Sequence, residues 1–309
     1  MWFFEKIKVS LEILLETIKS IKKYPILLLP IFITWIVFAW LVVYLTYYFE
    51  FPQDKTLQWV IIIWIFWFIT FLLTYTSSIM VGLVKQIETD GKVNFSEAFS
   101  NSNKKIVSLL WLSLIWAVIW LILTIIEALL KKNNKDNNSW EISYEWVAKT
   151  LWWEWSIFSW LSLWLSVMKD ILRLAVFLSI PAILWENKKT FEAIKAGWKI
   201  IWKHPTEFLW IYSWILLIWI LMFLPVAIIF WLSNSWHHFS DAFWIWVIIY
   251  EWIIWTFSIY MEQMSATLLY LWDMKWQKAN ENIEDKKEQI PLTSIEKPSL
   301  TDDVYEFAN

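Results

Sequence analysis

Six long apolar runs dominate this chain and leave few folds open to it. They cover about 26–49, 57–84, 106–130, 157–185, 207–233 and 242–272. Each is long enough to cross a hydrocarbon layer of ~30 Å as a helix, which takes about 20 residues. A helix also satisfies its backbone within the segment, as a lipid-exposed span must. The apolar fraction of 59% exceeds the roughly 45–50% of soluble domains. The sequence therefore predicts an all-α integral membrane protein with six transmembrane helices. With no cysteine, disulfides, thiolate metal sites and cysteine nucleophiles are excluded together. A net charge of −3 offers no electrostatic footprint for nucleic acid.

The basic residues orient the bundle. Nineteen of 26 lie in segments 1–25, 85–105, 186–206 and 273–309, five lie in the intervening loops, and Lys169 and Arg173 lie inside the fourth run. Lys and Arg accumulate on the cytoplasmic side. The expectation is a multi-pass protein of the inner or plasma membrane with both termini in the cytoplasm.

The cytoplasmic segments are patterned too. In TFEAIKAGWKIIWKHP (190–205), Phe191, Ile194, Trp198, Ile201 and Trp202 share one helical face, and Lys195, Lys199 and Lys203 share the adjacent one with the preceding Lys188. An apolar stripe beside a lysine stripe describes a helix lying in the interface, so these four lysines are expected to contact anionic lipid. At the N-terminus Phe4, Ile7, Leu11, Leu14, Leu15, Ile18 and Ile21 form a second stripe. LEILLETIKSIKKYP (11–25) aligns with FEAIKAGWKIIWKHP (191–205) at Glu12/Glu192, Lys19/Lys199, Ile21/Ile201, Lys23/Lys203 and Pro25/Pro205, and SEAFSNSNKKI (96–106) is a weaker third copy. The chain reads as a threefold repeat of one cytoplasmic interfacial helix followed by two spans, a membrane domain over 1–276. The tail, 277–309, is acid-rich and is predicted to be disordered.

The stretch PAILWEN (181–187), followed by Glu192-Ala193-Ile194-Lys195 and Trp198, resembles a family of prokaryotic six-span membrane proteins, itself similar to the membrane domain of some glycerophosphodiester phosphodiesterases. The likeness extends over about residues 2–276. It implies a fold and carries no catalytic residues to this chain.

Tryptophan is the compositional anomaly. Residues 151–166, LWWEWSIFSWLSLWLS, hold five of the 30 tryptophans, whereas the whole chain has three glycines. A membrane belt places Trp at the two interfaces, yet Trp35, Trp40, Trp116, Trp120 and Trp219 fall near the middle of their runs. Pairs four apart at 116/120, 160/164 and 210/214 have the spacing at which small residues let helices approach closely. Trp276 stands where a helix stop favours glycine. The reading is that many of these positions are glycine encoded by a reassigned UGA codon. The resemblance implies that Trp198 is a true tryptophan. On this reading mid-span indoles should face lipid or crowd interfaces, with N–H groups lacking partners.

Charges inside the runs are the candidate site. Lys169, Asp170 and Arg173 interrupt the fourth run, and Glu262 and Gln263 interrupt the sixth. Such residues face the bundle interior and pair with one another, or mark a substrate path. Asp170 and Arg173 can pair at i,i+3, and Glu262 is expected to meet Arg173. His237, His238 and Asp241 lack metal-ligand spacing. No P-loop, GxSxG, HExxH or paired-acid motif occurs, so neither enzymatic activity nor a cofactor is expected. Two readings stand. The first is a lipid-interacting membrane protein or scaffold whose partners are membrane lipids; the alternative is a small-solute or ion transporter using the intramembrane charges.

Overall fold

The computed structural model describes residues 2–50, 52–132, 160–235 and 241–281. The tryptophan-rich stretch up to residue 159, His237–His238 and the tail beyond 281 lie outside them. Among the described residues every regular element is helical. In chain order these are α1 (Trp2–Lys23), α2 (Leu29–Tyr47), α3 (Lys55–Asp90), α4 (Phe95–Lys104), α5 (Ile106–Lys132), α6 (Trp160–Trp185), α7 (Thr190–Lys203), α8 (Pro205–Ser235) and α9 (Asp241–Glu281). A single 3₁₀ turn, Pro25–Leu28, joins α1 to α2.

Four stretches are long and apolar enough to cross a membrane: Pro25–Leu45, Thr56–Asp90, Ile106–Ile126 and Pro205–Ile229. The molecule is therefore a multi-pass membrane protein by its helices. The other two expected spans, α6 and α9, are not among these four stretches of the described residues. Lys169, Asp170 and Arg173 interrupt α6, and Glu262 and Gln263 lie in the second half of α9.

Burial inverts the apolarity. Residues 174–183 of α6 and 258–273 of α9 are buried without a break, whereas the four apolar helices expose much of their length. Lipid is as apolar as leucine, so uniformly apolar faces can stay outside and polar ones must be covered. The core gathers Ile13, Leu27, Met80, Leu83, Phe177 and Leu268 around α6 and α9. Hydroxyl groups stitch the inner contacts. Thr34 donates to Thr76 at 2.8 Å, Thr70 Oγ1 to the Ser113 carbonyl at 3.1 Å, and Thr17 and Ser265 meet at 3.2 Å.

The stripes read from sequence on α1 and α7 mostly face outward. Phe4, Leu11, Leu15 and Ile18 of α1 are exposed, and its buried face is Val9, Ser10, Ile13, Thr17 and Ser20 together with Leu14. On α7 Phe191, Trp198 and Trp202 are exposed, Ile194 and Ile201 are half-buried, and Ala193, Gly197 and Ile200 are buried. Small residues take the inward face because they allow close approach. A Cβ built on Gly197 would lie 2.8 Å from Ser179 Oγ and 3.3 Å from the Ala175 carbonyl. Gly82 of α3 plays the same part toward Ala98 of α4, at 3.3 Å.

The tryptophans divide. Trp40, Trp64, Trp111 and Trp246 are exposed, and the buried indole nitrogens of Trp35, Trp67 and Trp214 have no hydrogen-bond partner. Trp116 departs from the expectation. It is buried and sets its ring edge-on to Phe177 of α6, while Trp120, stacked on it, packs against Phe66 of α3. The side chains of Trp160 and Trp164 lie outside the described residues. Trp276 is no helix stop, since α9 continues through Glu281, which also makes the first five residues of the expected tail helical.

Candidate functional site

Two polar groupings stand out. The first joins α6 to α9. Arg173 Nη2 donates to Glu262 Oε1 at 2.7 Å and to Asp170 Oδ1 at 3.0 Å, and its Nε lies 2.6 Å from Glu262 Oε2. One guanidinium thus bridges two carboxylates, hydrogen-bonded to Glu262 through Nη2 alone, while Nε and Glu262 Oε2 are in ion-pair contact without hydrogen-bond geometry. Tyr212 of α8 donates to Asp170 Oδ2 at 3.2 Å, which ties a third helix to the group. The Glu262 side chain keeps 7% of its surface, against 24% for Arg173 and 29% for Asp170.

Two more expected members differ from this group. Lys169 is half-buried. Gln263 is fully buried, and neither its amide oxygen nor its nitrogen has a hydrogen-bond partner. One turn back along α9, Ser258 and Met261 border a cavity shared with Ile215, Trp219 and Met222 of α8. Its volume of about 10 Å³ holds one water at most. The chemistry this arrangement supports is charge pairing across helices. A buried pair of this kind is weak evidence for stability, but removing one partner strands the other charge and costs about 3–5 kcal/mol.

The second grouping surrounds α7. Lys195 and Lys199 are exposed beside the exposed Phe191, Trp198 and Trp202. The other two lysines of the expected stripe turn to protein partners. Lys188 Nζ lies 2.5 Å from Glu186 Oε2, and Glu186 also accepts from the Tyr270 hydroxyl. Lys203 Nζ donates to Asp273 Oδ1 at 2.6 Å and sits 3.9 Å from the centre of the Trp276 ring.

Asp273 is the hub of a buried cluster that sequence reading missed. His204 Nε2 lies 2.9 Å from the same Asp273 oxygen, and Gln277 donates to the other. Burial pushes the Asp273 carboxyl up, but the hydrogen bonds from His204 and Lys203 outweigh that effect and hold it below its ordinary value of 3.8. His204 and Asp273 are 69 residues apart with no motif linking them. The available signal was a Lys-His-Pro corner opening one helix and a lone Asp closing the last apolar run. Two further ion pairs stitch the same end: Lys6 of α1 with Glu207 of α8 at 3.6 Å, and Lys275 of α9 with Glu88 of α3 at 2.6 Å. Among the described residues no group of three or more His, Asp or Glu could hold a metal ion.

No family model, curated protein or solved structure matches the chain.

Proposed function

We propose that this is a six-span protein of the inner or plasma membrane, with both termini cytoplasmic, that engages anionic lipid through α7 and acts as a lipid-interacting or scaffold module. The observation that carries the reading is the outward surface of α7. Phe191 and Trp202 are 76% and 78% exposed on a helix whose opposite face is clamped to α6. In water such a surface is a liability. At a lipid interface it is a buried anchor, and Lys195 and Lys199 beside it reach anionic headgroups.

In this reading α6 and α9 are the inner spans and α1, α4 and α7 are the interfacial helices of a threefold repeat. Their docking supports the repeat: α4 meets α3 through Ala98 and Gly82, α7 meets α6 through Gly197 and Ser179, and α1 meets α9 through Thr17 and Ser265. Each interfacial helix thus packs on the last span of another unit. Thr17 and Gly197, the two contact residues, are also the residues paired when 11–25 is aligned with 191–205. The resemblance to six-span prokaryotic membrane proteins belongs to the same reading. The alternative, a transport role, would need a polar cavity reaching Arg173.

The test is binding of purified protein to vesicles with and without anionic lipid. Each lysine near an anionic surface contributes about 1 kcal/mol, so Lys195→Gln with Lys199→Gln should weaken the anionic preference by about tenfold or more. An unchanged preference removes the basis of the proposal.

A further inference from the structure

The outward face of α7 is the complement of one segment of the same chain. Phe191, Lys195, Trp198, Lys199 and Trp202 are all exposed and recur at i, i+4, i+7, i+8 and i+11. Aromatic rings and two lysines therefore alternate along one side of the helix. Behind them Ala193, Gly197 and Ile200 are buried, with Gly197 against Ser179 of α6. Lys188 and Lys203 have acidic partners in Glu186 and Asp273. Among the described residues Lys195 and Lys199 form no ion pair.

Past Glu281 the sequence runs on to residue 309. Its last basic residue is Lys297, and Asp302, Asp303 and Glu306 follow. In LTDDVYEF (300–307) Leu300, Val304 and Phe307 fall at i, i+4 and i+7, the spacing of one helical face. Asp303 and Glu306, three apart, fall on the flank of that face. Such a segment offers apolar side chains to the α7 rings and two acids to the two lysines. It can also reach them. Asp273 of α9 is bonded to Lys203 at the end of α7, and α9 continues past it to Glu281. That extension rises ~12 Å, and Lys195 lies ~12 Å back along α7. The nineteen residues from Glu281 to Leu300 extend up to ~60 Å. A tether of this kind holds its end at an effective concentration on the order of millimolar, so weak contacts suffice.

We infer that residues 300–307 dock on the outward face of α7 and compete there with anionic lipid. Leu300, Val304 and Phe307 cover the aromatic rings, while Asp303 and Glu306 neutralise Lys195 and Lys199. The segment orders as it binds and is released when headgroups take the lysines. A face covered about nine-tenths of the time has its apparent lipid affinity lowered about tenfold. The docking stands on the face and the segment alone, whereas the competition rests on the lipid reading of α7.

Carbodiimide crosslinking of the full-length protein, one molecule per phosphatidylcholine nanodisc, tests the docking by peptide mass spectrometry. Crosslinks from Asp303 or Glu306 should fall on Lys195 and Lys199 about fivefold more often than on Lys85 and Lys104, which are also exposed. Leu300→Ser with Phe307→Ser changes no charge and should abolish that preference. The same variant should bind vesicles containing phosphatidylglycerol about tenfold more tightly than the unaltered protein. Simple repulsion between the acids and the membrane predicts no gain, because the charge is the same. Even crosslinking to all four lysines, or a preference that survives in the variant, would overturn the docking. A preference lost in the variant with vesicle affinity unchanged would overturn the competition. Anionic vesicles bound by neither protein, with the α7 crosslinks present, would remove the lipid reading and support the docking.

Discussion

At the scale of single residues the chain poses one question of packing and one of charge. Buried indole N–H groups without acceptors, as at Trp35, Trp67 and Trp214, each cost about 1–3 kcal/mol. At Gly197 and Gly82, by contrast, helices touch where no side chain intervenes. That contrast is what glycine misread as tryptophan would produce, with Trp116, buried against Phe177, as the counterexample. Peptide mass spectrometry on protein from its native host should find glycine at 160 or 276 and tryptophan at 198; tryptophan at both of the first two would end the recoding idea. The charge question concerns Arg173. Arg173→Leu alone should destabilise the protein by about 3–5 kcal/mol in a denaturation series, whereas Arg173→Leu with Glu262→Leu and Asp170→Asn should recover most of it. If the combined variant is as unstable as the single one, the cluster does more than neutralise itself. The Arg173–Glu262 contact was open to sequence reading because a lone charge in an apolar run has few possible mates. The His204–Asp273 contact was not, since His204 stands at the end of its helix and Asp273 at the end of its apolar run, where a solvated side chain is the ordinary outcome.

At the scale of helices, four stretches of the apolar runs are long and apolar enough to span, and the apolar stripes of α1 and α7 mostly face outward, as the interfacial reading of those stripes expects. On α1 and α7 the large apolar residues look outward and the small or hydroxyl ones look inward. A reader trained on water-soluble amphipathic helices assigns those faces the other way round. In the lipid reading the cause is the solvent: lipid would accept Phe4 and Phe191 without cost, so close approach of backbones decides what is buried. Helix length was legible for a similar reason. α3 has 36 residues, about 54 Å at the usual rise, and its surplus beyond the hydrocarbon carries Gln86 and Asp90 to the α4 corner. The close fit of α7 on α6 predicts that Gly197→Leu, which drives a side chain into Ser179 and the Ala175 carbonyl, costs about 1–3 kcal/mol or more. Leucine at the exposed Lys195 should leave thermal stability within about 0.5 kcal/mol. Equal effects at the two positions would mean that α7 is not seated as described.

At the scale of the whole molecule, polar α6 and α9 form the inside, four apolar helices surround them, and α1, α4 and α7 dock at one end through small contacts. The lipid reading and the six-span topology both require that end to be the cytoplasmic one. Because the chain has no cysteine, single cysteines report sidedness without background. In intact cells a membrane-impermeant maleimide should label Lys55→Cys at the start of α3, and should leave Lys105→Cys and Lys199→Cys unlabelled until the membrane is permeabilised. Labelling of Lys199→Cys in intact cells, or protection of Lys55→Cys there, would contradict the account.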